Sequence, residues 1–410
     1  MSVIQPLPVP PLAGRRVLLG VAGGIASYKT AWLARLLATA GAEVDIVMTR
    51  SATEFVGPVT FEALTGRPVH TGLFDDGRAL EHIRLAKAAE VVVVAPATAD
   101  LMARAATGQA DDLLTAVLLA TQAPVLLVPA MNDRMWAHAQ TRANAVHLRS
   151  LGYTVLEPDD GALAAGEGSG PGRMPEPETI YAHIARLLER PHALRGLSVL
   201  VTAGPTREEI DPVRFISNHS SGKMGVAIAE SAWRRGAHVT LVAGPMSVAP
   251  PVGVDHVPVG STTEMLEAVT ARLGTADVLV MAAAPADYRP AERAPGKLKK
   301  SGDARVIDLR ETPDILKSTR DHRRPGAIIV GFALETDALV ENARKKLVAK
   351  DLDIVVLNAA NEPGAGFGVE TNRVTIMTRG RTEPEDLPLL SKRDVADVIL
   401  DRVEAMLDGR

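Results

Sequence analysis

Cysteine is absent from all 410 residues. That removes disulfides, thiolate metal sites and any cysteine nucleophile or proton donor. Aromatic residues are scarce at 3%, and neither half carries a dense basic stripe or the stacking platform that single-stranded nucleic acid requires. The formal net charge of −4 agrees, so nucleic acid is not an expected partner. No run of about 18 uncharged apolar residues occurs, which argues against a helical membrane span. The Pro-rich start, MSVIQPLPVPPLAGRR, lacks an apolar h-region and reads as a loose arm over residues 1–14. A cytoplasmic protein without membrane contact is the expectation.

What is present is the balance of a globular protein, with 46% hydrophobic and 23% charged residues. The length exceeds one ordinary core and suggests two or three domains. The most informative stretch is VTAGPTREEIDPVRFISNHSSGKMG, Val201 to Gly225. An apolar strand feeds a polar loop and then a helix whose first turn carries Ser220, Ser221, Gly222 and Lys223. Free N–H groups and the positive dipole end at such a junction suit phosphate or carboxylate oxygens. A Walker loop is disfavoured, because Ser217 and Met224 stand where it needs Gly and Ser or Thr. For this stretch alone, an ordinary βα turn with a capped helix is the alternative.

The first half opens on a buried strand, Arg16 to Ala22. A Gly23-Gly24 turn, a helix from Ala26 to Ala40 and a strand from Glu43 to Thr49 complete a βαβ unit. Gly20, Gly23 and Gly24 do not form GxGxxG, and Asp45 lies inside its strand, so a dinucleotide is disfavoured. A single phosphate, as in a flavin mononucleotide, needs only the glycine turn and the helix end. Strands at Val91–Ala95 and Pro124–Pro129 lead into PATAD and AMN, at the sheet edge where ligands of α/β folds collect. Thr98, Asp100 and Asn132 would meet there. His82 lies near the start of the helix EHIRLAKAAE, with Ile83, Leu85 and Ala86 facing inward. A lone histidine of this kind is ordinarily structural or exposed, so a functional role needs independent support. The segment Pro158–Pro177 carries Gly161, Gly166, Gly168, Gly170 and Gly172, and reads as a mobile lid without regular structure. A helix from Glu178 to Arg190 ends a domain spanning 15–190, and a linker at 191–196 precedes a second domain at 197–410.

In the second half the strand Val278–Met281 opens into AAAPADYRP with Asp287. APGKLKK follows with Lys297, Lys299 and Lys300, then ETPDIL, then IIVGFALET with Phe332, and a helix bearing Lys346 and Lys350 on one face. Any one cationic cluster is explained by a solvated surface. Lysines following several strand ends are what a triphosphate requires.

The motifs GVAGGIASYK, EHIRLAK, APATADLMARAATGQADDLL and PAMN, followed by SNHSSGKMG, AAAPADYRP, APGKLKK, TPDI and GFALET, span Arg15 to Asp408. In this order the chain resembles the bifunctional family that joins phosphopantothenoylcysteine decarboxylase to phosphopantothenate-cysteine ligase. The resemblance implies an α/β fold class with two parallel-sheet domains, a flavodoxin-like FMN domain and a Rossmann-like ligase domain using CTP. It also implies homo-oligomers: trimers of the first domain, dimers of the second and dodecamers. FMN contacts would come from Gly23, Gly24, Ile25, Thr49, Pro96, Ala97, Thr98 and Met131. His82 would be the active-site base, and Asn132 would hold the substrate carboxylate. CTP contacts would come from Met281, Ala282, Ala283, Asp287, Lys297, Pro313, Asp314, Ile315, Leu316, Phe332, Lys346 and Lys350. Asn218 would support an acyl-cytidylate, and Lys297 would serve attack by cysteine. A divalent cation, Mg²⁺ or Mn²⁺, accompanies the triphosphate, with no ligands assigned.

One departure stands out. The family's glycine-rich flap carries a Cys that protonates the product enethiolate, whereas AAGEGSGPGRM has Ala165 and Gly166 there, Gly166 being the better match when counted back from Arg173. Either water or Glu167 supplies the proton, or the first domain stalls and acts chiefly as an FMN-binding scaffold for an active ligase.

Overall fold

Runs such as VLLGV and VVVVA are apolar at consecutive positions, which suits strands buried on both faces of a parallel sheet. The structure, a computed structural model, describes residues 12–74, 80–189, 194–299, 306–335, 339–359, 366, 368–381 and 383–409. Most of the N-terminal arm, linker residues 191–193 and Lys300 lie outside these. The chain divides into two units, Met1–Glu189 and Arg190–Arg410. Among the described residues no helix is long and apolar enough to cross a membrane.

In the first unit, β1 (Arg16–Val21), β2 (Glu43–Met48), β3 (Val69–His70), β4 (Val91–Ala97), β5 (Val125–Pro129) and β6 (Thr154–Val155) form one sheet in the order β3-β2-β1-β4-β5-β6. Every pairing is parallel. This is the Rossmann order and not the flavodoxin order 2-1-3-4-5. Strand period divides the core: Val17, Leu19 and Val21 pack on one face, and Leu18, Val92 and Val94 on the other. Each such side chain contributes about 1.5–3 kcal/mol by burial, so a charge at Leu19 would unfold the unit. The strand order reverses between β1 and β4, which opens a crevice at their carboxyl ends.

The glycine-rich flap departs from expectation. It contains a two-stranded antiparallel hairpin, β7 (Asp159–Ala162) with β8 (Ser169–Arg173), where no regular structure was expected. A hairpin needs a turn of positive φ, and Gly166 and Gly168 provide it at +86° and +84°. Glycine in β8 also permits close approach. A Cβ on Gly172 would lie 2.2 Å from the Met131 carbonyl oxygen.

The second unit repeats the scheme with β9 (Ser198–Ala203), β10 (His238–Ala243), β11 (Asp255–Pro258), β12 (Val278–Met281), β13 (Ile328–Glu335), β14 (Ile354–Ala359), β15 (Val374–Thr378) and β16 (Glu385–Asp386). Their order is β11-β10-β9-β12-β13-β14-β15-β16. The strands from β11 to β14 pair in parallel, while β15 and β16 add an antiparallel edge that the parallel expectation omitted. Here the reversal lies between β9 and β12. The anion loop leaves β9 at this point, and AAAPAD leaves β12 beside it.

Candidate active sites

In the first unit a cavity of about 730 Å³ lies at the β1/β4 reversal. Gly23, Gly24, Ile25, Thr49, Thr98, Asp100, Met131 and Asn132 line it. The glycine turn enters the helix Ser27–Thr39, whose N-cap residue Ala26 makes no side-chain cap. Its first N–H groups, those of Ser27, Tyr28 and Lys29, donate back to the Gly24, Ile25 and Ala26 carbonyls at 3.0, 3.5 and 2.9 Å, so it is the glycine turn, at the positive end of the helix dipole, that faces the cavity. A Cβ on Gly23 would lie 2.3 Å from Ser51 Cβ, so the turn packs directly against the loop after β2. Thr49 and Thr98 hold their loops in shape, accepting from Ala52 N at 3.3 Å and Leu101 N at 3.2 Å. Phe55, Met135 and Tyr28 add apolar wall that sequence reasoning missed, since nothing in their local pattern marks them. Pro96 and Ala97 are not on the wall. They finish β4, and their carbonyls accept from Ala22 N and Ala130 N.

Asn132 caps the short helix Asp133–Ala137, accepting from Arg134 N at 2.9 Å. The β8 flap strand lies against the same loop, with Met131 N donating to Gly172 O at 3.0 Å. Lys29 ties the far end of the flap to the first helix, donating to Met174 O at 3.0 Å and pairing with Glu176 at 3.0 Å. Glu167 also lines the cavity. His82 does not. Its Nδ1 is buried with no hydrogen-bond partner among the described residues, in the helix Glu81–Ala88, where Leu85 and Ala86 are the buried residues and Ile83 is only partly covered.

In the second unit a cavity of about 620 Å³ lies at the β9/β12 reversal. Asn218, Ala282, Ala283, Asp287, Phe332, Lys346 and Lys350 line it together. The helix begins later than expected, at Lys223, behind Gly222 at φ +80° with no side-chain cap. Asn218 Nδ2 donates to Pro285 O at 2.9 Å, which joins the anion loop to the AAAPAD loop. Lys350 pairs with Asp314 at 3.1 Å.

Several expected contacts lie off this wall. Met281 is buried inside β12, and Ile315 and Leu316 belong to the apolar core. Pro313 and Asp314 precede them, and Asp314 acts through Lys350 rather than on the cavity. Lys297 sits exposed on its loop. Among the described residues no group of three acidic or histidine side chains could hold a metal. Magnesium carried by a triphosphate needs only one or two carboxylates, and among the described residues Asp287 is the one acidic residue on this wall.

Two family models cover the chain: a flavoprotein model over residues 10–189 and the DNA/pantothenate metabolism flavoprotein C-terminal domain over 194–407. The coenzyme A biosynthesis bifunctional protein CoaBC of Mycolicibacterium smegmatis is 47% identical, over 97% of this chain and 99% of its own. The chain belongs to the CoaBC family. The Escherichia coli CoaBC protein is 43% identical over the same shares. A crystal structure of the C-terminal domain of a CoaBC protein is 42% identical, covering 53% of this chain and all of its own, at a TM-score of 0.45. As a CoaBC protein the chain is a bifunctional coenzyme A biosynthesis enzyme, with decarboxylase and ligase domains on one flavoprotein chain. The scaffold reading has nothing to favour it.

Sequence reasoning missed several residues of the CoaBC ligase wall. Asn358, Gly366, Asn372 and Lys392 all line the second cavity. Asn358 ends a buried strand and could have been found by that signal. Lys392 follows Ser391, the N-cap of a helix whose Asp394 donates its N–H to Ser391 Oγ at 3.1 Å, and a lysine at such a start reads as solvated.

Proposed function

We propose that the second unit, residues 197–410, joins 4'-phosphopantothenate to cysteine at the expense of CTP, and that the first, residues 15–190, converts the product to 4'-phosphopantetheine. The observation that carries the ligase half is the convergence of Asn218, Ala282, Ala283, Asp287, Phe332, Lys346 and Lys350 on one cavity. A carboxylate is a poor electrophile. Its oxygen attacks the α-phosphorus of CTP and pyrophosphate leaves, giving an acyl-cytidylate; the cysteine amine then displaces CMP to form the amide. Lys346 and Lys350 offset the triphosphate charge together with Mg²⁺, which Asp287 would help hold. Phe332 offers an apolar face beside the nucleotide. Asn218, fixed by its bond to Pro285 O, supports the activated acyl group. Lys297, on an exposed loop off this wall, is the cation proposed to assist the amine.

In the first unit the glycine turn at the positive end of the helix Ser27–Thr39 fits the phosphate of FMN, and Ile25, Phe55, Met131 and Met135 fit an apolar ring system. When bound, FMN supplies the two-electron oxidation of the cysteinyl thiol, and its reversal, that loss of CO₂ requires. Asn132 holds the substrate carboxylate, and the β7/β8 hairpin covers it. Glu167 on that hairpin stands in for the family's flap cysteine as proton donor. His82 lies off its own chain's wall, so its role as base requires the cavity of a second copy within a homo-oligomer. The compartment proposed is the cytoplasm.

The test is stoichiometry. Supplied with 4'-phosphopantothenate, cysteine, CTP and Mg²⁺, the chain should release one CMP and one pyrophosphate per amide, counted by chromatography. Release of CDP and orthophosphate would overturn the acyl-cytidylate route.

A further inference from the structure

We infer that Lys392 and the N-terminus of the helix Lys223–Arg234 form a phosphoryl-oxyanion subsite at one end of the ligase cavity; this rests on the ligase reading above. Lys392 is 6% exposed and lines the cavity. Its ammonium donates to Gly366 O at 3.1 Å, which among the described residues leaves two donor directions unfilled. Lys223, in the first turn of the uncapped helix, lines the same end. It donates to Gly368 O at 2.9 Å and pairs with Glu370. Glu370 is 81% exposed, so one solvated carboxylate faces two ammonium groups and a positive helix end.

A buried ammonium without an anion is costly. Burial, and then the Lys223 charge, push Lys392 below the ordinary lysine range, with Glu370 opposing. A lysine serving only as a strut to one carbonyl would pack better as methionine. A second, independent feature points to a ligand. Asn372 is 1% exposed and lines the cavity. Its Nδ2 is held by Asn358 Oδ1 at 2.7 Å, and its own Oδ1 is buried with no partner among the described residues. That oxygen needs a donor from a ligand, such as a hydroxyl. The occupant is therefore a phosphate ester that also carries a hydrogen-bond donor, a description that fits both CTP and 4'-phosphopantothenate.

The experiment is steady-state ligation by the full chain and by Lys392→Met, with CTP, 4'-phosphopantothenate and cysteine varied in turn. The expected result is a KM raised about tenfold or more for one phosphate-bearing substrate, with the KM for cysteine and the Tm unchanged. A rise for CTP alone identifies the triphosphate as occupant, and a rise for 4'-phosphopantothenate alone identifies its phosphate. Unchanged KM values for both would overturn the inference. If Lys392→Met lowers the Tm, Glu370→Gln tests the same charge balance from an exposed position. It should lower the KM of that same substrate severalfold, and no change would overturn the subsite. If the wild-type chain forms no amide, the ligase reading fails on its own. Calorimetry with inorganic pyrophosphate then decides the subsite: affinity weakened about tenfold in Lys392→Met supports it, and equal affinity overturns it.

Discussion

Asp211 and Leu298 are 87 residues apart, yet the buried Asp211 carboxylate accepts the Leu298 backbone N–H at 3.1 Å. The same carboxylate accepts from Val213 N at 2.8 Å and Arg214 N at 2.9 Å, while Arg214 donates to Leu298 O at 2.6 Å. Thus the loop after β9 clamps the loop that carries Lys297. Burial alone would raise the Asp211 pKa, but the N–H donors of Val213 and Leu298, with Arg214, outweigh it and hold the pKa at about 2. The folded-state pKa is depressed, so this contribution is present above the unfolded value of about 3.9 and is lost as pH falls toward 2.

Asp211→Asn puts a donor where acceptors are needed and releases the Lys297 loop. Ligation should fall about 10- to 100-fold through misplacement of Lys297. Decarboxylation of supplied phosphopantothenoylcysteine should be unchanged, and parallel assays of the two half-reactions check both statements.

Asn218→Asp should cut amide formation by about 100-fold. The new carboxylate would face the Ala284 and Pro285 carbonyls that now accept from the amide, at 3.5 and 2.9 Å, and would repel an anionic acyl-cytidylate. Rapid-quench measurement of CMP release reads the loss. A wild-type rate would remove Asn218 from the site.

On the flap, Gly166 at φ +86° is a conformation that side chains rarely adopt. Ala165 is therefore the position where an L-cysteine fits without strain, against the count from Arg173 that favoured Gly166. Glu167→Gln should slow the last protonation, so that the oxidised, decarboxylated product accumulates. Adding Ala165→Cys to that variant should restore 4'-phosphopantetheine. Full-rate product from Glu167→Gln alone would rule Glu167 out as donor.

His183, in the helix Pro177–Leu188, has its pKa lowered to about 4 by burial and then by Arg186. The folded state binds its proton less readily than the unfolded chain does. Stability should therefore fall as pH drops from about 6.5 to 4, by about 3 kcal/mol in total, and level off below. Urea titrations across that range should show the slope in the wild type, and a flatter profile in His183→Gln.

Much of both sites was legible because α/β sheets place ligands at strand reversals. Gly23, Thr98 and Asn132 follow three different strands, and Asn218 and Asp287 follow two more, so strand ends brought these together, whereas Phe332 reaches the wall from inside β13. Spacing could not show that Ile315 and Leu316 turn inward to the core while Asp314 pairs with Lys350, because TPDIL has no period that separates wall from core. The flap hairpin was hidden by composition, since glycines that weaken an isolated strand also permit the turn and the close contact with Met131. Lys392 was hidden by its helix-start setting, as its burial depends on Gly366 and Lys223, both distant in sequence.

The most direct measurement is mass spectrometry of the products formed by the FMN-loaded chain from 4'-phosphopantothenate, cysteine, CTP and Mg²⁺. The account predicts 4'-phosphopantetheine as the main product, made by a chain that has no cysteine of its own. Accumulation of phosphopantothenoylcysteine, or of its oxidised decarboxylated form, would contradict it.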